Sequence, residues 1–280
     1  MSDARAARSA LEAAGTLPDG ELDIAATALQ LARIDTPGAD AAAAERHLSD
    51  LARAAVAAAA GDPEADAGNV ARRRAVLAEL LHGRFGYAGD SDTYEDVANA
   101  NLVRVIERRR GLPVALGVLW LHAAEAAGWE AHGVDFPGHF LLALAGRGQV
   151  VVDVFAGGEG LDARALRTLL KRFVGDQAEL GPDTLAPMGK RAVLLRLQNN
   201  IKVRRLRAGD LPGALACTRD MLRFAPDAAS LWREAGLMHQ RLDEIGAAIE
   251  ALERFLALAP DGPQSSRVRG LLEDLRQRLN

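Results

Sequence analysis

Two residues near the middle of the chain, His139 and Asp153, have the types and the spacing of a histidine–carboxylate pair. In the segment "HFLLALAGRGQVVVDVF", a three-residue loop over Gly146–Gly148 would pair Ala145 with Gln149 in a hairpin. His139 then lies diagonally opposite Asp153 on one face, with the two backbones about 7–8 Å apart. A two-residue loop would place the two side chains on opposite faces.

Such a pair has two interpretations. A carboxylate beside an imidazole fixes the tautomer and raises the basicity of the ring, as a general base requires. The alternative is a structural pair at the end of a sheet, and the spacing alone favours this alternative. The sequence therefore predicts that the side chains meet and leaves their purpose open.

We expect structural roles for the other potential nucleophiles. The single cysteine, Cys217, lies in the helical segment "GALACTRDML", where it packs as a small side chain. Ser91 and Thr93 lie in a loop of turn formers, in which hydroxyl groups cap or turn the chain.

Metal and phosphate chemistry find little support. His122, His132 and His139 match no standard ligand spacing, so we expect no metal site, although a metal hydrolase stays an alternative. The glycines of "FAGGEG" lack the Lys-Ser/Thr of a phosphate-binding loop and predict a turn. We expect no cofactor.

Short strands and one helix must position the pair. The runs "EAHGVDF", "HFLLALA" and "QVVVDVF" are rich in β-formers and separated by turn residues, which predicts strands. The preceding helix should begin near Pro113 and end near Gly128. A helix thus leads into an antiparallel sheet.

The N-terminal part predicts helices. We expect residues 1–20 to be flexible, one helix in "ELDIAATALQLARID", a second over Ala41–Ala60 and a third in "VARRRAVLAELLHGRF". The arginine run Arg72–Arg74 in the third helix should be a solvated face.

The C-terminal part repeats itself. Pro226 and Pro260 end the related segments "FAP" and "LAP", which lie 34 residues apart, and "LWREAGLMHQ" supplies Trp232 and Gly236 at their repeat positions. This period resembles the tetratricopeptide repeat. Two repeats cannot bury their own faces, so Ser266–Leu279 should form a closing helix and the array should lean on the central domain.

Composition narrows the function classes. With 49% hydrophobic residues among 280, the chain can bury a large core, and its formal net charge of −4 gives no general attraction to nucleic acid or anionic membrane. No apolar run approaches the roughly 20 residues that cross a bilayer. We expect a cytoplasmic protein with protein or peptide partners, bound to neither nucleic acid nor membrane.

The centre of the chain resembles the bacterial transglutaminase-like proteins of the SirB type. The resemblance rests on Asn99 and Asn101, on "RRRGLP" at Arg108–Pro113, on "FPGHFLL" at Phe136–Leu142 and on "DVFAGG" at Asp153–Gly158. It implies an α+β fold: an N-terminal helical layer, a central transglutaminase-like (papain-like) helix with an antiparallel sheet, and C-terminal helical repeats. The implied domains are 21–190, divided into a helical part 21–110 and a core 111–190, and repeats over 191–280.

In active enzymes of this fold a cysteine opens the central helix, and histidine and aspartate follow on neighbouring strands. The resemblance assigns His139 and Asp153 to those last two positions. The cysteine position falls at Pro113, Val114 or Ala115, none of which can attack a carbonyl group.

We therefore expect a binding or scaffold protein that is not an enzyme, with a vestigial cleft and a repeat groove. The alternative is an amide- or peptide-bond hydrolase or transferase with a nucleophile other than cysteine. Beside the remnant pair, the candidate binding residues are Asn101, Arg110, Asp135, Arg196, Asn199, Arg233 and Gln240. The last four would face the repeat groove and suit an acidic segment.

Overall fold

A computed structural model describes residues 2–279. The helices of its first part are Ser2–Gly15 (α1), Ile24–Asp35 (α2), Ala41–Ala60 (α3), Pro63–Asp66 (α4), Val70–Ala78 (α5), Leu102–Arg108 (α6), Pro113–Ala126 (α7) and Ala163–Val174 (α8). Those of its last part are Lys190–Arg207 (α9), Leu211–Phe224 (α10), Ala229–Arg241 (α11), Ile245–Leu258 (α12) and Pro263–Leu279 (α13). None of these described helices is long and apolar enough to cross a membrane.

Seven short strands accompany the helices: Ala88–Gly89 (β1), Arg110–Gly111 (β2), Ala131–Phe136 (β3), His139–Gly146 (β4), Gly148–Asp153 (β5), Glu159–Leu161 (β6) and Pro187–Met188 (β7) in the described residues. Strands β3 to β7 form an antiparallel sheet in the order β6-β5-β4-β3-β7, and β1 pairs with β2 in parallel. The predicted α+β class is confirmed.

The chain forms two compact units. The core unit contains Met1–Ala7 and Pro18–Leu197, and the repeat unit contains Arg8–Leu17 and Gln198–Asn280. Each is described by itself below.

Helix α7 is the central helix of the core unit. Pro113 occupies its first turn and Gly128, with φ +71°, follows its end, as predicted. The helix is buried on almost every side from Pro113 to Ala124, which is typical of a helix inside a core. A Cβ atom on Gly117 would lie 2.2 Å from Cε1 of Phe140, so this glycine lets the helix approach β4 closely.

Helix α8 packs on the other face of the sheet. Leu166 and Leu170 form one buried cluster with Leu141 and Ala143 of β4, whereas Phe140 points to α7. Successive side chains of a strand point to opposite faces. The sheet is therefore covered by α7 on one face and by α8 on the other.

The structure gives most of residues 2–20, for which the sequence predicts flexibility, a helical conformation. Ser2–Gly15 is a helix in which Ala7 and Leu11 are fully buried, and these positions are one helical turn apart. In the repeat unit, Arg8 pairs with the buried carboxylate of Asp220, at 3.0 Å, which fixes the helix to α10.

The repeat unit contains the predicted helical pairs and the predicted closing helix. Val268, Leu272 and Leu275 of α13 share a buried cluster with Leu252 and Phe255 of α12. The closing helix thus buries the outer face of the last repeat.

Candidate functional site

His139 and Asp153 meet, as the hairpin spacing predicts. Ala145 pairs with Gln149 and Leu142 with Val152, and this register brings the first residue of β4 to the last residue of β5. The Nε2 atom of His139 lies 3.1 Å from Oδ2 of Asp153, and both residues are buried, with 8% of each surface exposed.

A tight turn after β5 orients the carboxylate. Oδ1 of Asp153 accepts hydrogen bonds from the backbone N–H groups of Phe155 and Ala156, at 3.0 and 3.3 Å. Gly158 has φ +83° and lies against the Trp120 ring, so this position requires glycine. Because Oδ1 is held by the backbone, Oδ2 remains for the imidazole.

Two phenylalanine rings flank His139. Phe173 of α8 stacks on the imidazole, with ring centroids 5.2 Å apart, and Phe155 meets it edge-on at 6.4 Å. Tyr94 in turn meets Phe155 edge-on at 5.9 Å. Phe173 and Tyr94 are 42% and 41% exposed, so aromatic surface is open to solvent around the pair.

The nitrogen of His139 that does not face Asp153 is uncommitted. Among residues 2–279, no hydrogen bond is made by Nδ1, while the backbone carbonyl of His139 accepts one from Arg196 at 2.7 Å. The imidazole therefore has one nitrogen held by the carboxylate and one available to a ligand.

The imidazole of His139 lies beside α8. His139 has the strand parity of Leu141, which faces α8, and it stacks on the α8 residue Phe173. The ring of Phe155 lies against Gly89 of β1. Strand β1 pairs with β2, which ends two residues before Pro113 at the start of α7.

The first turn of α7 offers no nucleophile. Pro113, Val114 and Ala115 are all buried and apolar. Cys217 lies in the repeat unit, 2% exposed, where Nε2 of Gln198 contacts its sulfur at 3.2 Å. This burial agrees with a packing role for the cysteine.

The loop with Ser91 and Thr93 is a turn, as expected. The backbone N–H and the hydroxyl group of Thr93 both donate to the buried carboxylate of Asp90, and Arg108 donates to the same carboxylate at 2.8 Å. Hydrogen bonds from the Thr93 backbone and hydroxyl are the largest causes that lower the pKa of Asp90. Thr93 therefore has a structural partner.

Asn101, predicted as a binding residue, is used inside the protein. Its side chain is buried, caps α6 through the N–H of Arg104, and donates to the carbonyl of Ala32 and the hydroxyl of Thr36. Arg110 is exposed and donates to the carbonyl group of Gly86 at 3.3 Å. This geometry supports a structural role for Asn101 and leaves Arg110 accessible.

The other predicted binding residues divide between the units. In the core unit, Arg196 forms an ion pair with the exposed Asp135 beside the backbone of His139. In the repeat unit, Asn199 is exposed and Arg233 and Gln240 are half-buried. No side-chain hydrogen bond is made by these last three within the part of the chain that the structure describes.

His122 and His132, the other two histidines of the central segment, have partners of their own. Nε2 of His122 lies 3.0 Å from the carbonyl of Leu48, and His132 contacts Gln149 at 3.3 Å. Over residues 2–279, no group of three or more His, Cys, Asp or Glu side chains is arranged to hold a metal ion.

A second polar cluster, formed by His47, Tyr87 and Arg109, is not marked by any sequence motif. The Tyr87 hydroxyl lies 2.7 Å from Nε2 of His47, and Arg109 contacts both side chains. Burial is the main cause that lowers the pKa of His47 to about 4, with the Arg109 charge second. Burial likewise raises the pKa of Tyr87 to about 12. The residues of this cluster, and the pair His139 and Phe173, are far apart in the sequence, so no local sequence pattern predicts their contacts.

Comparison with known proteins agrees with this architecture. A family model described as the transglutaminase-like superfamily matches residues 42–199, more than half of the chain, and a tetratricopeptide repeat model matches residues 201–273.

Curated relatives come from bacteria. A UPF0162 protein of Xylella fastidiosa is 33% identical over 210 residues, which is 72% of this chain and 74% of the relative. A UPF0162 protein of Vibrio cholerae is 30% identical over 192 residues, 68% of this chain and 71% of the relative. Protein SirB1 of Salmonella typhimurium is 24% identical over 200 residues, 71% of this chain and 74% of the relative. This chain belongs to the transglutaminase-like superfamily and carries C-terminal tetratricopeptide repeats.

Proposed function

We propose that the protein is a cytoplasmic binding or scaffold protein without thiol chemistry. It holds protein or peptide partners on the repeats and at the surface formed by His139, Tyr94 and Phe173, which we term the His139 cleft. One observation carries the proposal. Within residues 2–279, the polar side-chain partner of the imidazole is Asp153 and its ring partners are Phe155 and Phe173. A histidine–carboxylate pair can withdraw a proton, but the two phenylalanines supply no nucleophile and both oxygens of Asp153 are already hydrogen-bonded.

The cleft suits recognition of a side chain or a peptide bond. The exposed rings of Tyr94 and Phe173 offer apolar contact area, and Nδ1 of His139 offers one directional hydrogen bond. Binding sites commonly combine apolar walls with few placed polar groups. Asp153 fixes the tautomer of the imidazole and therefore determines whether Nδ1 donates or accepts that hydrogen bond.

The repeat unit supplies a second contact surface in this proposal. Asn199, Arg233 and Gln240 lie on the first helices of the two repeats and have no side-chain partners in the described residues. A guanidinium group together with two amides suits an acidic peptide segment.

The binding half of the proposal is tested by affinity capture from a bacterial lysate with matched variants. Phe173→Asp should lose cleft partners, whereas Val56→Asp, which changes another exposed apolar residue, should keep them. Arg233→Glu should lose repeat partners, and Arg254→Glu should not. Identical capture by all four variants would contradict the proposal.

The catalytic alternative is an amide hydrolase or transferase with a water or hydroxyl nucleophile, and the intact His139–Asp153 geometry is the observation in its favour. We expect no glutamine–amine cross-linking and no hydrolysis of peptide amides, and iodoacetamide should change nothing. Loss of a nucleophile typically removes several orders of magnitude in rate. Steady hydrolysis that is lost in His139→Ala and kept in Cys217→Ser would establish the alternative.

A further inference from the structure

A large cavity of the repeat unit lies on a different side of helix α11 from the proposed repeat contacts. It has a volume of about 790 Å³, and its lining includes Trp232, Ala235 and His239 of α11. These positions follow helical spacing, whereas Arg233 and Gln240 lie on a neighbouring face and do not line it in the described part of the chain. The cavity is therefore a separate site.

The walls of this cavity are mainly apolar. Leu222 comes from α10, Pro226 from the turn after it and Ala251 from α12, while Gly15 at the end of α1 and the following Thr16 close one side. The Trp232 indole is anchored, because its Nε1–H donates to the carbonyl of Pro226 at 2.8 Å. Sites for small molecules typically have volumes of about 300–1,000 Å³, apolar walls and few polar groups.

Most charges at the rim are already paired. Glu12 pairs with Arg223, and Glu244 pairs with His239. Among the described residues, two charged groups of the lining have no hydrogen bond or ion pair: the guanidinium of Arg219 on α10 and the carboxylate of Glu250 on α12. A charged ligand group would meet one of these two.

The Arg219 end is the better site for a ligand charge. A smaller cavity of about 240 Å³ adjoins it and shares Arg219 and Arg223. The single carboxylate there, Asp220, is occupied by Arg8 and Arg223, at 3.0 and 3.1 Å. Three guanidinium groups thus surround one committed carboxylate, which leaves Arg219 free to pair with an anion.

We propose that this cavity binds a small organic acid, with its carboxylate on Arg219 and its aromatic or aliphatic body against Trp232. The proposal does not depend on the function proposed above, because it uses neither the His139 cleft nor the contacts of Asn199, Arg233 and Gln240.

Phenylbutyrate is a suitable probe for the full-length protein, with phenylbutanol and phenylbutylamine as neutral and cationic controls. Trp120 and Trp129 are buried in the core unit, and Trp232 lines the cavity, so tryptophan emission should respond to binding and should not respond in a Trp232→Phe variant. Calorimetry should rank the acid tightest. Equal affinity for the alcohol, or tighter binding of the amine, would refute the proposal.

Exposed residues supply the variants, so that folding is preserved. Arg219→Gln should weaken phenylbutyrate binding about tenfold, since a charge-assisted pair becomes a neutral contact. Arg254→Gln, on α12 and outside the lining, should bind as the original protein does. Glu250→Gln should bind equally or more tightly. Unchanged affinity in Arg219→Gln, or weaker binding in Glu250→Gln, would overturn the assignment of an acid.

Discussion

The two nitrogens of His139 have different surroundings, and this difference follows from the hairpin. Nε2 faces Asp153, whose other oxygen is held by two backbone N–H groups. The meeting of these residues could be predicted because the hairpin register connects positions 14 residues apart. The stacking of Phe173 could not, because it depends on how α8 packs against the sheet.

Exchange of Asp153 for asparagine should invert the tautomer of His139. In the neutral ring, the carboxylate keeps the proton on Nε2 and leaves Nδ1 as an acceptor. In Asp153→Asn, we expect the amide oxygen to accept the two backbone N–H groups and the amide nitrogen to donate to Nε2, which moves the proton to Nδ1. The imidazole ¹⁵N shifts at about pH 9, where histidine is ordinarily neutral, report the tautomer.

The same variant should remain folded, with a loss of roughly 1–2 kcal/mol, because the backbone hydrogen bonds are conserved. Gln149→Ala, which removes a contact of His132, is the control and should leave the tautomer of His139 unchanged. An unaltered Nε2–H tautomer in Asp153→Asn would mean that the carboxylate does not determine the state of the ring.

Elements were predictable where a local pattern decides them. The three long strands and the start of α7 carry turn residues and proline at their bounds, and all are confirmed. Strands β6 and β7 are short and have no local pattern. The arginine run was expected to be solvated, but Arg73 donates to the carbonyl of Ala145 and Arg74 to that of Gly158, at 2.6 and 2.9 Å. These distant carbonyl groups could not be identified from the run itself.

Lys202 places a buried positive charge between α9 and α11. It occupies the repeat position at which Gly236 stands in the next repeat, and its buried ammonium group pairs with Glu234. Glu234→Gln should destabilise the repeat unit by about 2 kcal/mol, because it leaves a buried charge without its partner. Lys202→Met should cost less or stabilise, since it removes that charge. Urea unfolding compares the two variants.

Arg276→Met is a matched control for the second substitution, because Arg276 pairs with Glu253 at the surface of the same unit. Surface pairs contribute about 0–1 kcal/mol. If Lys202→Met proved more damaging than Glu234→Gln, the ion pair would be a net source of stability at this junction.

At the scale of the whole molecule, the sequence predicts a transglutaminase-like part followed by repeats, but it does not predict which unit the first residues join. The central strands and the 34-residue period predict a sheet-containing core and helical repeats, in agreement with the two family models that match the chain. Residues 8–17 join the repeat unit, although they precede the core in the sequence. Alanine-rich segments bury little area per residue, so their patterns do not reveal which unit they join.

The stability of the core unit should fall as the pH decreases from about 6.5 to about 4. The folded state lowers the pKa of His47 to about 4, by burial and by the charge of Arg109, whereas the unfolded histidine titrates near 6.5. The unfolded chain therefore binds more protons in this window, and the stabilisation, complete above pH 6.5, is lost as the pH falls. After allowance for solvent screening, we expect the free energy of unfolding to fall by about 1–2 kcal/mol.

Urea unfolding at several pH values measures this loss in a Trp232→Phe background, in which emission comes from the core-unit tryptophans. His47→Gln should flatten the slope, because its side chain does not titrate, and His132→Gln should keep it. An equal slope in all three proteins would show that other groups, such as carboxylates, cause the acid sensitivity.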